Sequence, residues 1–306
     1  MKAEPFENYW QGEVEKFPEV TIVWREEDTV RAAMVQTGEA DWAYDVGPQN
    51  MNSVPKAVTG RSSEVVILKI NSKNRKLFQD ARVRRALRHA IDCETLNQQL
   101  YNGLGICRGS PFNSELTGSR DDIQVPYKYD PQLARQLLEE ADYFSKWPDF
   151  EFTIMTRNRR FPRDVEMFEA MAGMWNEVGF KAGVSVVEPS IWTENSNQND
   201  PTSPMYNVGA DIISWPHGNE TGDSWFPLRN TTCDHRSGYA CDDFLEPQIL
   251  PASAMEGAER EQELYDLWKY VYDTALFPAI LELPIVYGVS QDLDFIPRAE
   301  REVTDP

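Results

Sequence analysis

The run from Asp80 to Asp92, D-A-R-V-R-R-A-L-R-H-A-I-D, constrains the fold more than any other stretch of this chain. Val83, Ala86, Leu87, Ala90 and Ile91 recur at i, i+3, i+4, i+7 and i+8, which lines them along one side of an α-helix. Arg82, Arg84, Arg85, Arg88 and His89 take the other side. Asp80 is positioned to cap the helix, because a carboxylate there accepts a backbone N–H that the first turn leaves without an intrahelical partner. Asp92 ends this helix and caps a second, in which Glu94, Leu96 and Leu100 follow. Two short helices meeting at a capped corner form a rigid unit, and an apolar stripe needs a core to cover it.

The rest of the chain alternates strand and helix signals, the pattern of an α/β fold. V-T-I-V-W at 20–24 reads as a strand, and Val30, Ala33 and Met34 as a helix stopped by Gly38, a normal residue just past a helix end. Asp41 to Val46 reads as a short strand with Trp42 and Tyr44 on one face. V-V-I-L-K-I at 65–70 is a continuous apolar run, as in strands covered on both faces. A loop rich in Gly, Ser, Pro and Asp follows, from Asn102 to Tyr127. Asp130-Pro131 is then a cap and first-turn pair, before a stripe of Ala134, Leu137, Leu138 and Ala141. A strand at 150–155 leads into T-R-N-R-R-F-P-R-D, which gathers Arg157, Arg159, Arg160 and Arg163. Asp164 is expected to cap the next helix, with Phe168, Met171, Ala172 and Trp175 on its apolar side. Strands are expected at 183–187 and 211–215, a loop at 193–204, a long helix from about Glu256 to Thr274 carrying Leu264, Leu267, Trp268 and Val271, and a last strand at 277–287.

Composition narrows the function. The 306 residues suffice for two domains, and 41% hydrophobic content can fill real cores. With 30 basic and 50 acidic side chains the net charge is −20, which repels nucleic acid and anionic lipid. No nucleic-acid partner is expected. No apolar run is long enough to span a bilayer, and Met1 to Pro5 carries no secretion-signal pattern. Four cysteines allow three full pairings. Cys233 and Cys241 sit close together in T-T-C-D-H-R-S-G-Y-A-C, where a local disulfide would fit an oxidising compartment; the pairing of Cys93 and Cys107 stays open. Cys233, His235, Cys241 and His217 match no standard zinc spacing, so no metal and no cofactor is expected. Three scattered histidines, no G-x-S-x-G and no spaced carboxylate pair give no catalytic residues, and the chain is not read as an enzyme.

The order of residues around the central helix adds a resemblance. L-K-I-N-S-K-N-R-K-L-F-Q-D-A-R-V-R-R-A-L-R-H-A-I-D is similar to the signature of the family 5 extracellular solute-binding proteins, the peptide- and nickel-type receptors of ABC importers. Asn71, Phe78, Asp80, Arg82, Val83, Arg84, Ala86, Leu87, Ala90, Ile91 and Asp92 match that signature, and Leu77 stands where proline is usual. Y-D-P-Q-L-A-R-Q-L-L-E-E-A-D at 129–142 and T-G-E-A-D-W-A at 37–43 resemble two further segments of the family, in the same order.

The resemblance implies an α/β, two-lobed, periplasmic-binding-protein-like fold with the first lobe incomplete. Residues 1–70 would be the partial first lobe, 71–276 the second lobe, and 277–306 the return to the first lobe and a tail. Family members carry a signal and a long first-lobe segment before an N-x-x-Y-W-x-G motif, and here Asn8 to Gly12 supply that motif almost at the start. The expectation is therefore a chain missing its beginning, with the mature protein periplasmic or at the cell surface. The implied function is capture of a peptide-like or other small polar solute by lobe closure, with delivery to ABC transporter permease subunits, by a monomer. A sensing receptor of the same fold signalling to a membrane partner is the alternative, and a secreted hydrolase a further one. In the family a tryptophan-containing segment near residue 215 lines the cleft, and an acidic residue there pairs with a peptide's amino group. Trp215 matches, but Gly218 stands in place of the aspartate, and Glu220 or Asp223 could shift into that role. His217 and Asn219 offer neutral donors and acceptors instead. Tyr44, Arg157, Trp215, His217 and Asn219 are the expected ligand-binding residues.

Overall fold

A computed structural model of the protein describes residues 1–6, 10, 18–219, 221–230 and 232–297. The motif at Asn8 to Gly12 lies outside the described residues except for Trp10, as does Glu220. In chain order the elements are β1 (Lys2–Ala3), β2 (Val20–Thr21), α1 (Asp28–Thr37), β3 (Trp42–Ala43), β4 (Lys56–Ile70), α2 (Ala81–His89), α3 (Cys93–Tyr101), β5 (Ile106–Cys107), α4 (Asp121–Gln124) and α5 (Pro131–Glu140). There follow α6 (Tyr143–Lys146), β6 (Phe152–Arg157), α7 (Asp164–Glu177), β7 (Ala182–Val187), α8 (Pro189–Ser196), β8 (Ile212–His217), α9 (Trp225–Arg229), α10 (Glu246–Ala252), α11 (Gly257–Asp273) and β9 (Ala279–Val289). The described residues divide into two compact units, Met1–Val58 with Val286–Asp294, and Thr59–Ile285 with Phe295 to Pro297. Both divisions fall inside strands, β4 and β9.

In the first unit β1 pairs with β2, and β3 pairs antiparallel with the end of β9, Trp42 opposite Val289. The strand expected at 20–24 is cut to two residues, and Ile22, Val23 and Trp24 are exposed. α1 ends at Gly38, whose φ of 77° is the left-handed conformation that favours glycine. The helix buries Ala32 and Val35 rather than the expected Val30, Ala33 and Met34, and Val30 is 41% exposed. D-T-V-R-A-A-M-V holds two sets of apolar residues at helical spacing. The choice between them is made by β3 and the turn at Pro48–Ser53, against which the helix packs.

In the second unit β8 is central. It pairs antiparallel with β4, from Val65↔His217 to Ile70↔Ile212, and parallel with β6, which is in turn parallel to β7. β9 lies on the other side of β4, and β5 pairs with β9. One sheet face, with Val66, Leu68, Ile70, Ile154 and Ile212, packs into a large core with Leu87, Phe168 and Trp175. A second cluster gathers on α11 through Leu264, Leu267, Trp268 and Val271, with Phe112 and Leu228.

The local signals in this unit act as their chemistry dictates. The Asp80 carboxylate accepts from Arg82 N (2.9 Å), Asp92 from Thr95 N (3.0 Å) and Asp130 from Leu133 N (3.0 Å). Asn71, fully buried, donates to the carbonyls of Val208 (3.0 Å) and Ala210 (2.8 Å), tying the end of β4 to the segment entering β8. Two expectations are corrected. Arg84 and Arg88 are buried, because the α2 corner is covered on a second side. Arg84 Nη1 donates to the carbonyls of Phe78 and Gln79 (2.8 and 2.9 Å), and Arg88 Nη2 to that of Arg108 (3.2 Å). Asp164 is the first residue of α7 rather than its cap; its carboxylate accepts from the N–H groups of Arg160 and Val165, both at 2.8 Å. Cys233 is bonded to Cys241, and the pairing that the sequence leaves open is Cys93 with Cys107. That second bond fixes the start of α3 to β5.

Candidate functional site

Strand alternation sets the chemistry of the other sheet face. Residues directly opposite in paired strands share a face. The register therefore puts Val65, Ile67 and Lys69 of β4 with His217, Trp215 and Ile213 of β8. Met155 pairs with Ile213 and shares its face, and so does Arg157 two residues further along β6. Val66, Leu68, Ser214 and Ile212 point the other way; Ser214 Oγ is 2.8 Å from Thr156 Oγ1.

Trp215 is held in a stack of alternating character. Lys69 Nζ lies 3.8 Å from the centre of its ring. The Trp192 ring, brought by α8, is 5.3 Å away centre to centre, tilted by 44°. The Arg157 guanidinium in turn lies 4.7 Å from the Trp192 ring. Each cation faces the negative quadrupole of an indole. The ammonium of Lys69 is buried (1% exposed) and donates to the carbonyls of Asn230 (3.0 Å) and Ser237 (3.4 Å) and to Ser237 Oγ (3.2 Å). Ser237 belongs to the loop that the Cys233–Cys241 bond closes, and Asn230 stands just before it. Burial away from water lowers the Lys69 pKa to about 7, and the charge of Arg236 pushes the same way. Trp215 thus contributes a ring whose neighbours are already Lys69 and Trp192.

One step along the face lie three buried polar side chains. His217 is 8% exposed, Asn219 6% and Ser63 7%. Asn219 Nδ2 donates to the backbone carbonyls of Ser63 (2.7 Å) and Pro111 (3.3 Å). That fixes the amide and leaves Oδ1 pointing away from its own donors. Asn219 Oδ1, His217 Nε2 and Ser63 Oγ are all buried without a hydrogen-bond partner among the described residues. Burial drives the His217 pKa down to about 3, helped by the positive charge of Lys69, so the imidazole is neutral. Glu64, next in sequence to Ser63, is ion-paired with Arg160. Asp223 accepts from Arg260 (2.7 Å) and from Trp225 N (3.0 Å) and is thereby committed to structure.

Of the expected ligand-binding residues, Arg157, Trp215, His217 and Asn219 lie in the second unit. They form two groups: Arg157 with Trp215 through Trp192, and His217 with Asn219 through Ser63. Tyr44 belongs to the first unit, where its ring meets those of Trp42 (6.3 Å) and Tyr287 (5.7 Å) and its carbonyl accepts from Arg31 Nε (2.9 Å). Lys69, Trp192 and Ser63 were not among the sequence candidates. Lys69 carried a signal, since a lone charge inside an apolar strand must find buried partners. Trp192 and Ser63 carried none, because their roles depend on the register of strands far apart in sequence. Cys233 and Cys241, bonded to each other, are not available as thiolate ligands, and no group of three His, Cys, Asp or Glu suited to a metal ion occurs among the described residues.

The family model described as bacterial extracellular solute-binding proteins, family 5 Middle, matches residues 1–229. Heme-binding protein A of Haemophilus influenzae is 25% identical over 211 residues, which is 67% of this chain and 38% of that protein. The dipeptide-binding protein of Escherichia coli K12 is 23% identical over 274 residues, 87% of this chain and 49% of that protein. Among solved structures, NikA of Staphylococcus aureus in complex with Ni(L-His)2 superposes with a TM-score of 0.77 at 17% identity, covering 97% of this chain and 62% of that one. The chain spans about half the length or less of these curated relatives. The structural likeness extends the match in fold, α/β and periplasmic-binding-protein-like, across almost all of the chain.

Proposed function

Because this chain belongs to the bacterial extracellular solute-binding proteins of family 5, we propose that it is the solute-capturing part of an ABC importer. It would act outside the cytoplasmic membrane, in the periplasm or at the cell surface. There it takes up a peptide-like or other small polar solute by lobe closure and hands it to permease subunits. In this reading residues 1–70 and 277–306 serve one lobe and 71–276 the other. The observation that carries it is the family match over residues 1–229, together with buried polar groups on one sheet face that find no partner among the described residues. Such groups are costly to bury, and a binding face is a reason to keep them. Arg157, His217 and Asn219 are the polar contacts of this proposal, with Trp215 as the aromatic wall beside them. Relatives named for heme and dipeptides, and a neighbour holding a nickel–histidine complex, make the solute class a matter for experiment.

The test is a thermal-shift panel on the purified chain with short peptides, N-acetylated peptides, sugars, opines, heme and nickel–histidine. A solute that binds the folded state alone adds about 2.7 kcal/mol at a hundredfold excess over its Kd. One class should therefore raise the melting temperature with saturating dependence on concentration. A panel in which no class does so overturns solute capture by this chain.

A further inference from the structure

We propose that Lys69 is a specificity-determining residue of the solute site: its buried ammonium, held against Trp215, makes the aromatic wall favour an anionic solute group over a cationic one. The inference rests on the solute-capture reading and adds the charge class of the group that meets Trp215.

Lys69 is built into its place. β4 carries it on the same face as Trp215, and its Nζ lies 3.8 Å from the centre of the indole. Its N–H groups go to the carbonyls of Asn230 and Ser237 and to Ser237 Oγ. At 1% exposure the side chain acts on a solute through its charge and not by contact. The Trp215 ring is only partly buried. A solute atom in van der Waals contact with that ring, at about 4 Å, lies no more than about 10 Å from Nζ. Across protein instead of water, a unit charge at that distance changes the affinity of a charged group by about tenfold. The rings add to the bias. An indole face attracts cations, but here Lys69 already uses that attraction on Trp215, and the Arg157 guanidinium does so 4.7 Å from the adjoining Trp192 ring. An incoming cation meets like charges, and an incoming anion opposite ones.

Because Lys69 titrates at about 7, the bias depends on pH. Facing it among the described residues are Arg236 and His235 from the segment around Ser237, and His217 from β8. Arg236 is charged throughout. Burial pushes His235 to about 4 and His217 to about 3, so neither histidine titrates near neutrality. An anion prefers the protonated lysine, so its binding raises the Lys69 pKa. By linkage its affinity is full below pH 7 and is lost as pH rises through the raised value.

The experiment uses the whole chain labelled with ¹⁵N-tryptophan, and the Trp215→Phe variant identifies the indole resonance of interest. The probes are benzoate, benzamide and benzamidinium, planar groups of one shape and three charges. At about pH 6 benzoate should move the Trp215 resonance saturably, with a half-saturation at least about tenfold below that of benzamidinium and with benzamide between them. From about pH 6 to about pH 9 the benzoate half-saturation should rise about tenfold, while that of benzamide stays within about twofold. Lys69→Met should flatten the benzoate profile and cut its lead over benzamidinium by about tenfold. A preference for benzamidinium, a benzoate affinity that ignores pH in the unaltered protein, or no movement of Trp215 with any probe each overturns the proposal. The pH profile of the unaltered protein decides the matter even if the variant does not fold. If a solute raises the melting temperature in the panel above and Lys69→Met leaves its affinity and pH dependence unchanged, the role of Lys69 falls and solute capture stands. If no solute class raises it, capture itself falls.

Discussion

Lys69 places an ammonium where a strand of Val, Ile and Leu would otherwise close a core, and its stability effect must depend on pH. Its folded pKa of about 7 lies below the ordinary lysine value of 10.5. Below pH 7 both the folded and the unfolded chain hold the proton, and the cost of burying the charge is borne in full. Between about pH 7 and 10.5 the folded protein releases the proton while the unfolded chain keeps it, so stability rises with pH by at most about 1.4 kcal/mol per unit. Lys69→Met should abolish that rise. Urea melts at about pH 6, 8 and 9.5 measure it, and equal pH slopes for the two proteins would show that Lys69 keeps its proton throughout. The neighbouring cluster separates two kinds of polar residue. Ser63→Ala removes a buried hydroxyl that has no partner among the described residues and should leave stability within about 1 kcal/mol of the parent. Asn219→Ala strips two carbonyls of their donor and should cost about 1–3 kcal/mol. Urea midpoints compare them directly, and a larger loss for Ser63→Ala would mean its hydroxyl is satisfied in solution. At this scale the sequence pointed to His217 and Asn219 but not to Ser63 or Trp192. A residue's own chemistry is local; what stands opposite it is decided by register.

At the scale of the element, what is local in sequence was legible. The caps at Asp80, Asp92 and Asp130 and the stripe through Val83, Ala86 and Leu87 need only neighbours within one or two turns. The failures come from contacts that close over long separations. α1 offers two apolar faces of similar strength, and its partners β3 and the turn after it select the weaker-looking one. Arg84 and Arg88 read as a solvated face until the carbonyls of Thr274 and Arg108 are brought to them. The disulfides divide in the same way. Cys233 and Cys241, eight residues apart, could be paired by proximity, whereas Cys93 and Cys107 meet only because α3 and β5 fold against β9. On the loop-closure account, a separation of 14 residues makes the Cys93–Cys107 bond worth about 3 kcal/mol. The Cys93→Ser, Cys107→Ser double variant should lose about that much in a urea melt, and the loss of the Cys233–Cys241 bond slightly less, about 2.5 kcal/mol. If removing the shorter loop is the more damaging change, the Ser237 acceptors that it holds to Lys69 matter more than chain entropy.

For the whole molecule the governing quantity is a net charge of −20, and the question is whether salt helps or harms. Local ion pairs on the surface are weakened by salt. Yet pairs such as Lys181–Asp149 and Arg135–Glu139 are largely exposed, and such pairs contribute about 0–1 kcal/mol each. Against them stands the mutual repulsion of an excess of 20 negative charges, which opposes compaction and is screened as the Debye length falls from about 30 Å at 0.01 M to about 8 Å at 0.15 M. Repulsion should dominate, so stability should rise across that range of sodium chloride. A different behaviour belongs to Glu282. Its carboxylate, 2% exposed, accepts from Arg61 (2.9 Å) on β4 and from Arg108 (2.8 and 2.5 Å) beside β5. Counterions reach such a pair poorly. Glu282→Gln leaves the Arg108 guanidinium buried without a counter-charge and should cost about 3–5 kcal/mol, by nearly the same amount at low and at moderate salt. Parallel urea melts of the two proteins at both ionic strengths test the division. Both curves should shift up together with salt, keeping a constant gap. A gap that closes with salt would place the Glu282 network within reach of solvent, and a parent protein that weakens with salt would mean that local pairing, not net charge, sets the electrostatics of this fold.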